Sequence, residues 1–321
     1  MKGKWFLPTV LTSVLLITGC SNEGTKNGDN QTNKENKDSQ STKNSDDVKY
    51  PKDGVRGIYV SADATNGDKF VNPFIKEVWD YNINVSKEAA KAGFRDIQYD
   101  YVRFPEAFEN VESSLTYDKG NYKNSKLSDV DQRVDTISQF LKTARKALKS
   151  YGAEVSADVF GYAAMVEEAP GIGQSFPKIA ENTDAISSMI YPSHWSPGDF
   201  GLEAPDKEPY EAVDHYLDKE TAVLNKLGDK KPKSRPWLQD FTARYLGEGK
   251  YMEYDSKAVE AQVQALKDHG INEYLLWNAG NDYSKGVDYT PEADKEKLDQ
   301  NKEDLKKDNK DEKSNKDKGD K

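Results

Sequence analysis

FRDIQYDYVRF (94–104) decides how this chain is read. It follows Gly93, which ends a segment where Val78, Tyr81, Val85, Ala89 and Ala92 keep helical spacing. Asn72-Pro73 opens that segment as an N-cap followed by proline at the first helical position. The same hand-over from helix through glycine to strand recurs along the chain. Ser128, with Asp131 three residues on, starts a helix carrying Val134, Ile137, Leu141, Ala144 and Leu148; Gly152 stops it, and AEVSADVFGY (153–162) follows. Asp255 caps a helix with Val259, Val263 and Leu266 on one face, and Gly270 precedes INEYLLWN (271–278). AISSMIYP (185–192), RPWLQDF (235–241) and VRGIYVSA (55–62) bring the count to about six strands. Repeated βαβ units predict an α/β fold with a mostly parallel sheet, either closed or doubly wound. VSADATNGDKF (60–70), at the end of the first strand, has neither GxGxxG nor a phosphate loop, which removes most of the case for nucleotide binding. The expected fold is therefore a TIM-like (β/α) barrel.

Composition sets the boundaries of that barrel within the 321 residues. Residues 21–47 contain no aliphatic or aromatic side chain, and from 294 onward only Leu298 and Leu305 are apolar. Neither end can bury enough apolar surface to offset chain entropy. The expected organisation is a leader at 1–20, a disordered polar tether at 21–52, the barrel at 53–291 and a disordered charged tail at 292–321. Lys2 and Lys4 precede an apolar run too short to span a membrane, a secretory pattern ending in Ile17-Thr18-Gly19-Cys20. That ending resembles the bacterial lipobox and implies a lipid on Cys20, tethering the chain to the extracytoplasmic face of the cell membrane. Cys20 is the only cysteine, so no intramolecular disulfide and no cysteine-based metal site is expected. Lys+Arg 46 against Asp+Glu 56, a net charge of −10, argues against nucleic acid as a partner. A neutral substrate fits better.

A parallel barrel gathers its chemistry at the C-terminal ends of its strands. There the sequence places Asp100 and Arg103, then Asp158, then Tyr191 and His194, then Gln239 and Asp240, then Trp277 and Asn278. Cleaving a glycosidic bond needs one carboxylic acid to protonate the leaving oxygen and one carboxylate to attack or to activate water. Asp100, Asp158 and Asp240 can supply both and leave a third to stabilise the oxocarbenium ion. Tyr101, Tyr162, Tyr191, Trp195, Trp237 and Trp277 suit stacking on sugar faces, and His194 suits a hydrogen bond to a hydroxyl. Each residue also has a plainer role open to it. Asp100 can pair with Arg103, Asp240 can cap the turn after Phe241, and aromatic residues in short strands can simply be core. His194, His215 and His269 are far apart in sequence and no HExxH or EF-hand loop is present, so neither metal nor cofactor is expected.

IQYDYVRFP (97–105), SADVFGY (156–162), MIYPSHW (189–195), RPWLQDF (235–241) and LLWNAGN (275–281) together resemble a bacterial family of glycosyl hydrolase domains, the DUF4015-like group. The resemblance implies a TIM barrel similar to that of the α-amylase-like enzymes. Carried over block by block, it implies Asp100 as nucleophile, Asp158 as acid/base and Asp240 as stabiliser. Arg103, Tyr191, His194, Trp195, Trp237, Gln239, Trp277 and Asn278 then fall to substrate binding. Members of the family carry further βα units between the first strand and the segment resembling NPFIKEVWDYN (72–82), whereas nine residues separate them here. The barrel is therefore expected to be incomplete or distorted, with sheet edges open to self-association. The leading expectation is a membrane-tethered hydrolase of a cell-envelope polysaccharide. A non-catalytic glycan-binding lipoprotein is the alternative, and a solute-binding lipoprotein a third class that the order of the blocks disfavours.

Overall fold

The computed structural model describes residues 71–304, apart from 107, 167 and 170. The leader with Cys20, the tether at 21–52, the strand expected at 55–62 and the tail past 304 lie outside the described residues. Helix α1 (Lys76–Lys91) begins three residues later than an N-cap at Asn72 would place it. Asn72 instead closes a turn of its own, accepting from the Phe74 N–H at 3.0 Å and donating to the Asp118 carbonyl at 2.7 Å. The carbonyl of Pro73 accepts the Trp79 indole N–H at 2.6 Å. Gly93 stops the helix with φ at 111°, a region in which an L side chain is strained.

The expected strand 94–104 is shorter in the structure. β1 (Asp96–Tyr99) runs straight, and the chain then turns at Tyr101, whose φ is +53°. After the short helix α2 (Phe108–Val111), helix α3 (Asp129–Leu148) starts as the spacing predicts: Ser128 accepts from the Asp131 N–H at 3.1 Å. Its face of Ile137, Leu141, Ala144 and Leu148 is buried. β2 (Glu154–Phe160), the short helix α4 (Phe176–Ala180) and β3 (Ala185–Met189) follow. Helix α5 (Pro209–Asn225) leads to β4 (Lys233–Ser234) and β5 (Trp237–Gln239), between which Pro236 has no N–H to give to the ladder. Helix α6 (Ser256–Asp268) is capped by Asp255, whose carboxylate accepts from the Lys257 and Ala258 N–H groups. β6 (Leu275–Trp277) ends the sheet.

All pairings are parallel, in the order β1-β2-β3-β5-β6, with β4 also on β3. Because strand side chains alternate, Ile97 and Tyr99 turn to the helices while Asp96, Gln98 and Asp100 share the other face. The Tyr99 ring meets Phe140 of α3 edge-on at 5.0 Å and its hydroxyl pairs with Ser86 of α1 at 2.7 Å. Register then puts Ser156, Asp158 and Phe160 of β2 and Trp237 and Gln239 of β5 on the face of Gln98.

That face is concave. Arg235, just before β5, forms an ion pair with Asp96 of β1, three strand steps away. A flat sheet would hold those backbones about 14 Å apart with side chains standing upright. Only a wall curved as in a barrel turns them toward each other. The fold is thus an α/β, TIM-like barrel wall, incomplete among the described residues: none of their strands pairs with the outer edge of β1 or β6.

The folded part extends past 291, where composition places its end. Residues 295–304 are helical (α7). Asn301 donates to the Asp268 carbonyl at 3.0 Å, Asp268 Oδ1 accepts from the Asp294 N–H at 2.7 Å, and Lys297 lies 3.6 Å from Asp214. A few specific hydrogen bonds hold this run despite its sparse apolar content.

Candidate active site

The concave face is layered along the strands. At the base, where strands enter the sheet, Asp96 pairs with Arg235 and accepts from Ser156 at 2.9 Å, while Glu273 lies 3.4 Å from Arg235 and 3.6 Å from Lys233. This end of a parallel barrel serves stability.

One residue further up the face stands Asp158. It is 4 % exposed, and its Oδ1 accepts from both the Trp237 indole N–H, at 2.8 Å, and the Gln98 amide. Burial pushes this carboxyl up to about 8, and the negative charge of Asp100 pushes the same way, against the two donors. Two donors on Oδ1 favour the carboxyl tautomer with its proton on Oδ2. Asp158 is therefore built as an acid that still holds its proton at neutral pH. The sequence reading placed Asp158 and Trp237 in the site and passed over Gln98. The signal for it was the two-residue spacing Asp96, Gln98, Asp100, which puts all three on one face.

Asp100 stands at the top of β1, half-buried, and accepts from the Tyr101 N–H at 2.7 Å. Its electrostatic effect on Asp158 brings the two into one unit. Trp277 closes the opposite side, its ring perpendicular to Trp237 at 5.8 Å. Asp100, Asp158, Trp237 and Trp277, with Gln98, thus share one concave surface.

The remaining sequence candidates are placed differently. Arg103 donates to the Phe104 carbonyl at 3.1 Å and to Glu106 at 2.9 Å. Buried Gln239 accepts from the Ser193 N–H at 3.0 Å and donates to Asp206 at 2.8 Å and to the Phe241 carbonyl at 2.9 Å, tying three loops together. Both oxygens of Asp240 are engaged by Ser284, one by its hydroxyl at 2.7 Å and one by its N–H at 3.0 Å. Asn278 donates to the carbonyls of Asp240 and Asp282 and accepts from the Gly280 N–H at 2.8 Å, so it shapes the same loop. Trp195 turns its ring inward against Phe200, at 4.9 Å, and Tyr216, at 5.8 Å. Tyr191 is buried between His194, at 4.8 Å, and Phe241, at 5.8 Å. Lost hydration draws the His194 pKa down, although the residue as a whole is exposed. Among the described residues, no cluster of three or more His, Cys, Asp or Glu side chains is arranged to hold a metal ion.

The concave face of the parallel wall thus carries a buried carboxyl, Asp158, and a second carboxylate, Asp100, the two kinds of group that hydrolysis of a glycosidic bond calls for. The family described as Putative glycosyl hydrolase domain, DUF4015, matches residues 34–283, and the chain belongs to it. The match begins N-terminal to the boundary at 53 drawn from composition. Among curated proteins, none matches the chain. Solved structures with a similar course include the PgaB (BpsB) glycoside hydrolase domain of Bordetella bronchiseptica, at 15% identity and a TM-score of 0.43, covering 71% of this chain and 63% of that one. The spore cortex-lytic enzyme SleL of Bacillus megaterium QM B1551 is 14% identical with a TM-score of 0.39, covering 66% of this chain and 52% of that one. A class V chitinase of Pseudomonas fluorescens Pf-5 is 12% identical with a TM-score of 0.40, covering 70% and 71%. The chain spans less than two thirds of the PgaB domain and about half of SleL. None of these values is high enough to transfer a residue's role.

Proposed function

We propose that the chain hydrolyses an O-glycosidic bond of a polysaccharide, with Asp158 as general acid and Asp100 as the second carboxylate. The observation that carries this is the state of Asp158: enclosed, held by Gln98 and Trp237 on one oxygen, and kept protonated beside a negative Asp100. Asp158 gives its proton to the leaving glycosidic oxygen as the C–O bond breaks. Ionised Asp100 attacks the anomeric carbon or takes a proton from the water that does. Trp237 and Trp277 wall the cleft and keep bulk water from the acid. Asp240 serves to hold the 278–284 loop beside this wall through Ser284.

The leader pattern and the lipobox-like Ile17-Thr18-Gly19-Cys20 support a setting outside the cytoplasm, with the domain tethered to the membrane through a lipid on Cys20. A glycan of the cell envelope is then the substrate within reach.

The test is release of reducing ends from cell-envelope polysaccharide by the wild-type chain, by Asp158→Asn and by Asp100→Asn. Each variant should keep its circular dichroism and lose about 100-fold or more of the rate. Full activity in either variant would overturn its assignment. Binding without hydrolysis in the wild type would favour the glycan-binding lipoprotein instead.

A further inference from the structure

Beside Asp100 the rim carries a stack that the catalytic reading does not use. The Arg103 guanidinium lies over the Tyr101 ring at 5.3 Å and over the Phe160 ring at 5.2 Å, and Phe160 in turn stacks on Tyr162 at 5.5 Å with an interplanar angle of 20°. Four side chains from the ends of β1 and β2 thus form a continuous column. Its middle is fixed by protein contacts: the Arg103 side chain is nearly buried and donates to Glu106 and to the Phe104 carbonyl. Its ends reach the surface, with Tyr101 55 % exposed and Tyr162 38 % exposed.

Tyr101 also sits at φ +53°, where a bulky residue is strained and glycine is not. Such strain persists at ligand clamps and active sites because the surroundings hold it. Here it follows directly on Asp100 and presents a half-exposed ring. Ordering two aromatic rings before any ligand arrives lowers the entropy lost on binding.

We infer that Tyr101 and Tyr162, at the two ends of the Arg103–Phe160 column, form a binding subsite for neutral hexopyranose units of a chain polysaccharide, lying outside the point of cleavage. The apolar C–H face of a pyranose ring suits an exposed tyrosine ring, whose hydroxyl stays wet. Charge selects the class of sugar. Glu106 and Glu109 are exposed here, whereas the one cation of the column, Arg103, is nearly buried and held by Glu106 at 2.9 Å, so the charge this rim shows to solvent is negative. They accept hydrogen bonds from sugar hydroxyls and repel uronate or phosphate groups. Two ring platforms on the rim that carries Asp100 mean that the substrate is a chain engaged over several units. The inference rests on the glycan-hydrolysing reading above and adds its substrate class.

The test is affinity electrophoresis of the full chain through gels containing hydroxyethylcellulose, glycol chitin, galactomannan or xylan, with alginate as the anionic polymer. At least one neutral polymer should retard the wild type, and alginate should not. Tyr101→Gly, which also relieves the backbone, and Tyr162→Ala should each weaken retardation about tenfold. Tyr162→Phe should keep it. Asp158→Asn should be retarded like the wild type, so loss of hydrolysis and loss of the subsite read out separately. Retardation by no neutral polymer, equal retardation by alginate, or unchanged behaviour of both tyrosine variants overturns the inference.

Discussion

The Trp237 indole N–H donates to Asp158 Oδ1 at 2.8 Å although β3 lies between their strands. The bond spans the hollow of the sheet, so the curvature that makes the wall also builds the acid. Anything that flattens the wall should damage the site before it unfolds the protein. Arg235 and Asp96 make the longest such span, and they sit one layer below.

Arg235→Met is therefore expected to lower stability by about 3 kcal/mol, because Asp96 is left without its cation near the base of the wall while Glu273 keeps only Lys233. Urea unfolding measures the loss. The accompanying sign is a shift in the Trp237 indole N–H resonance, since its bond to Asp158 depends on the same curvature. An unmoved resonance with lowered stability would argue that base and site are independent.

Asp158 gives a pH signature with a definite sign. Its carboxyl rises from an ordinary 3.8 to about 8 on folding, so the folded chain binds this proton more tightly than the unfolded chain. The contribution is intact below about pH 4 and is lost as pH rises toward 8, by up to about 1.4 kcal/mol per pH unit. Asp158→Asn removes the term. The variant should gain on the wild type in urea midpoint between pH 5 and pH 8. Parallel pH profiles for the two proteins would show that Asp158 is not held protonated.

Asp240 is separated from the acid pair by a variant of its partner. Ser284→Ala leaves one oxygen of a buried carboxylate short of a donor, at a cost of about 1–2 kcal/mol. Protease cutting within 278–284 should quicken, while hydrolysis falls less than tenfold. A loss as large as that of Asp100→Asn would make Asp240 part of the chemistry, as the resemblance implied.

Asp268 governs the C-terminal helix. One carboxylate accepts from Tyr210 at 2.8 Å, Gln264 at 2.8 Å and the Asp294 N–H at 2.7 Å. Asp268→Ala should abolish amide-exchange protection across 295–304 and leave that of β2 and β3 unchanged. Protection retained in 295–304 would mean that the helix holds without this clasp.

The alternation of helix, glycine and strand was legible because each punctuating residue has a local cause. Ser128 and Asp255 cap as their side chains dictate, and Gly93 takes a φ that few other residues tolerate. The fold class followed from that rhythm. The division of labour among the polar residues did not. Gln239, Asn278 and Asp240 look like site residues at strand ends, but each is engaged by backbone or side chains from loops distant in sequence. No local pattern records such partners. Gln98 was legible through its spacing, and helix 295–304 was hidden because its attachment rests on residues far back in the chain, Asp214 and Asp268.

Tyr101 sets two selective pressures against each other. Glycine would adopt φ +53° there without strain and so raise thermal endurance, at the loss of an exposed aromatic ring beside Asp100. Endurance and an ordered ring at the rim therefore pull this one position in opposite directions, and the chain as it stands keeps the ring.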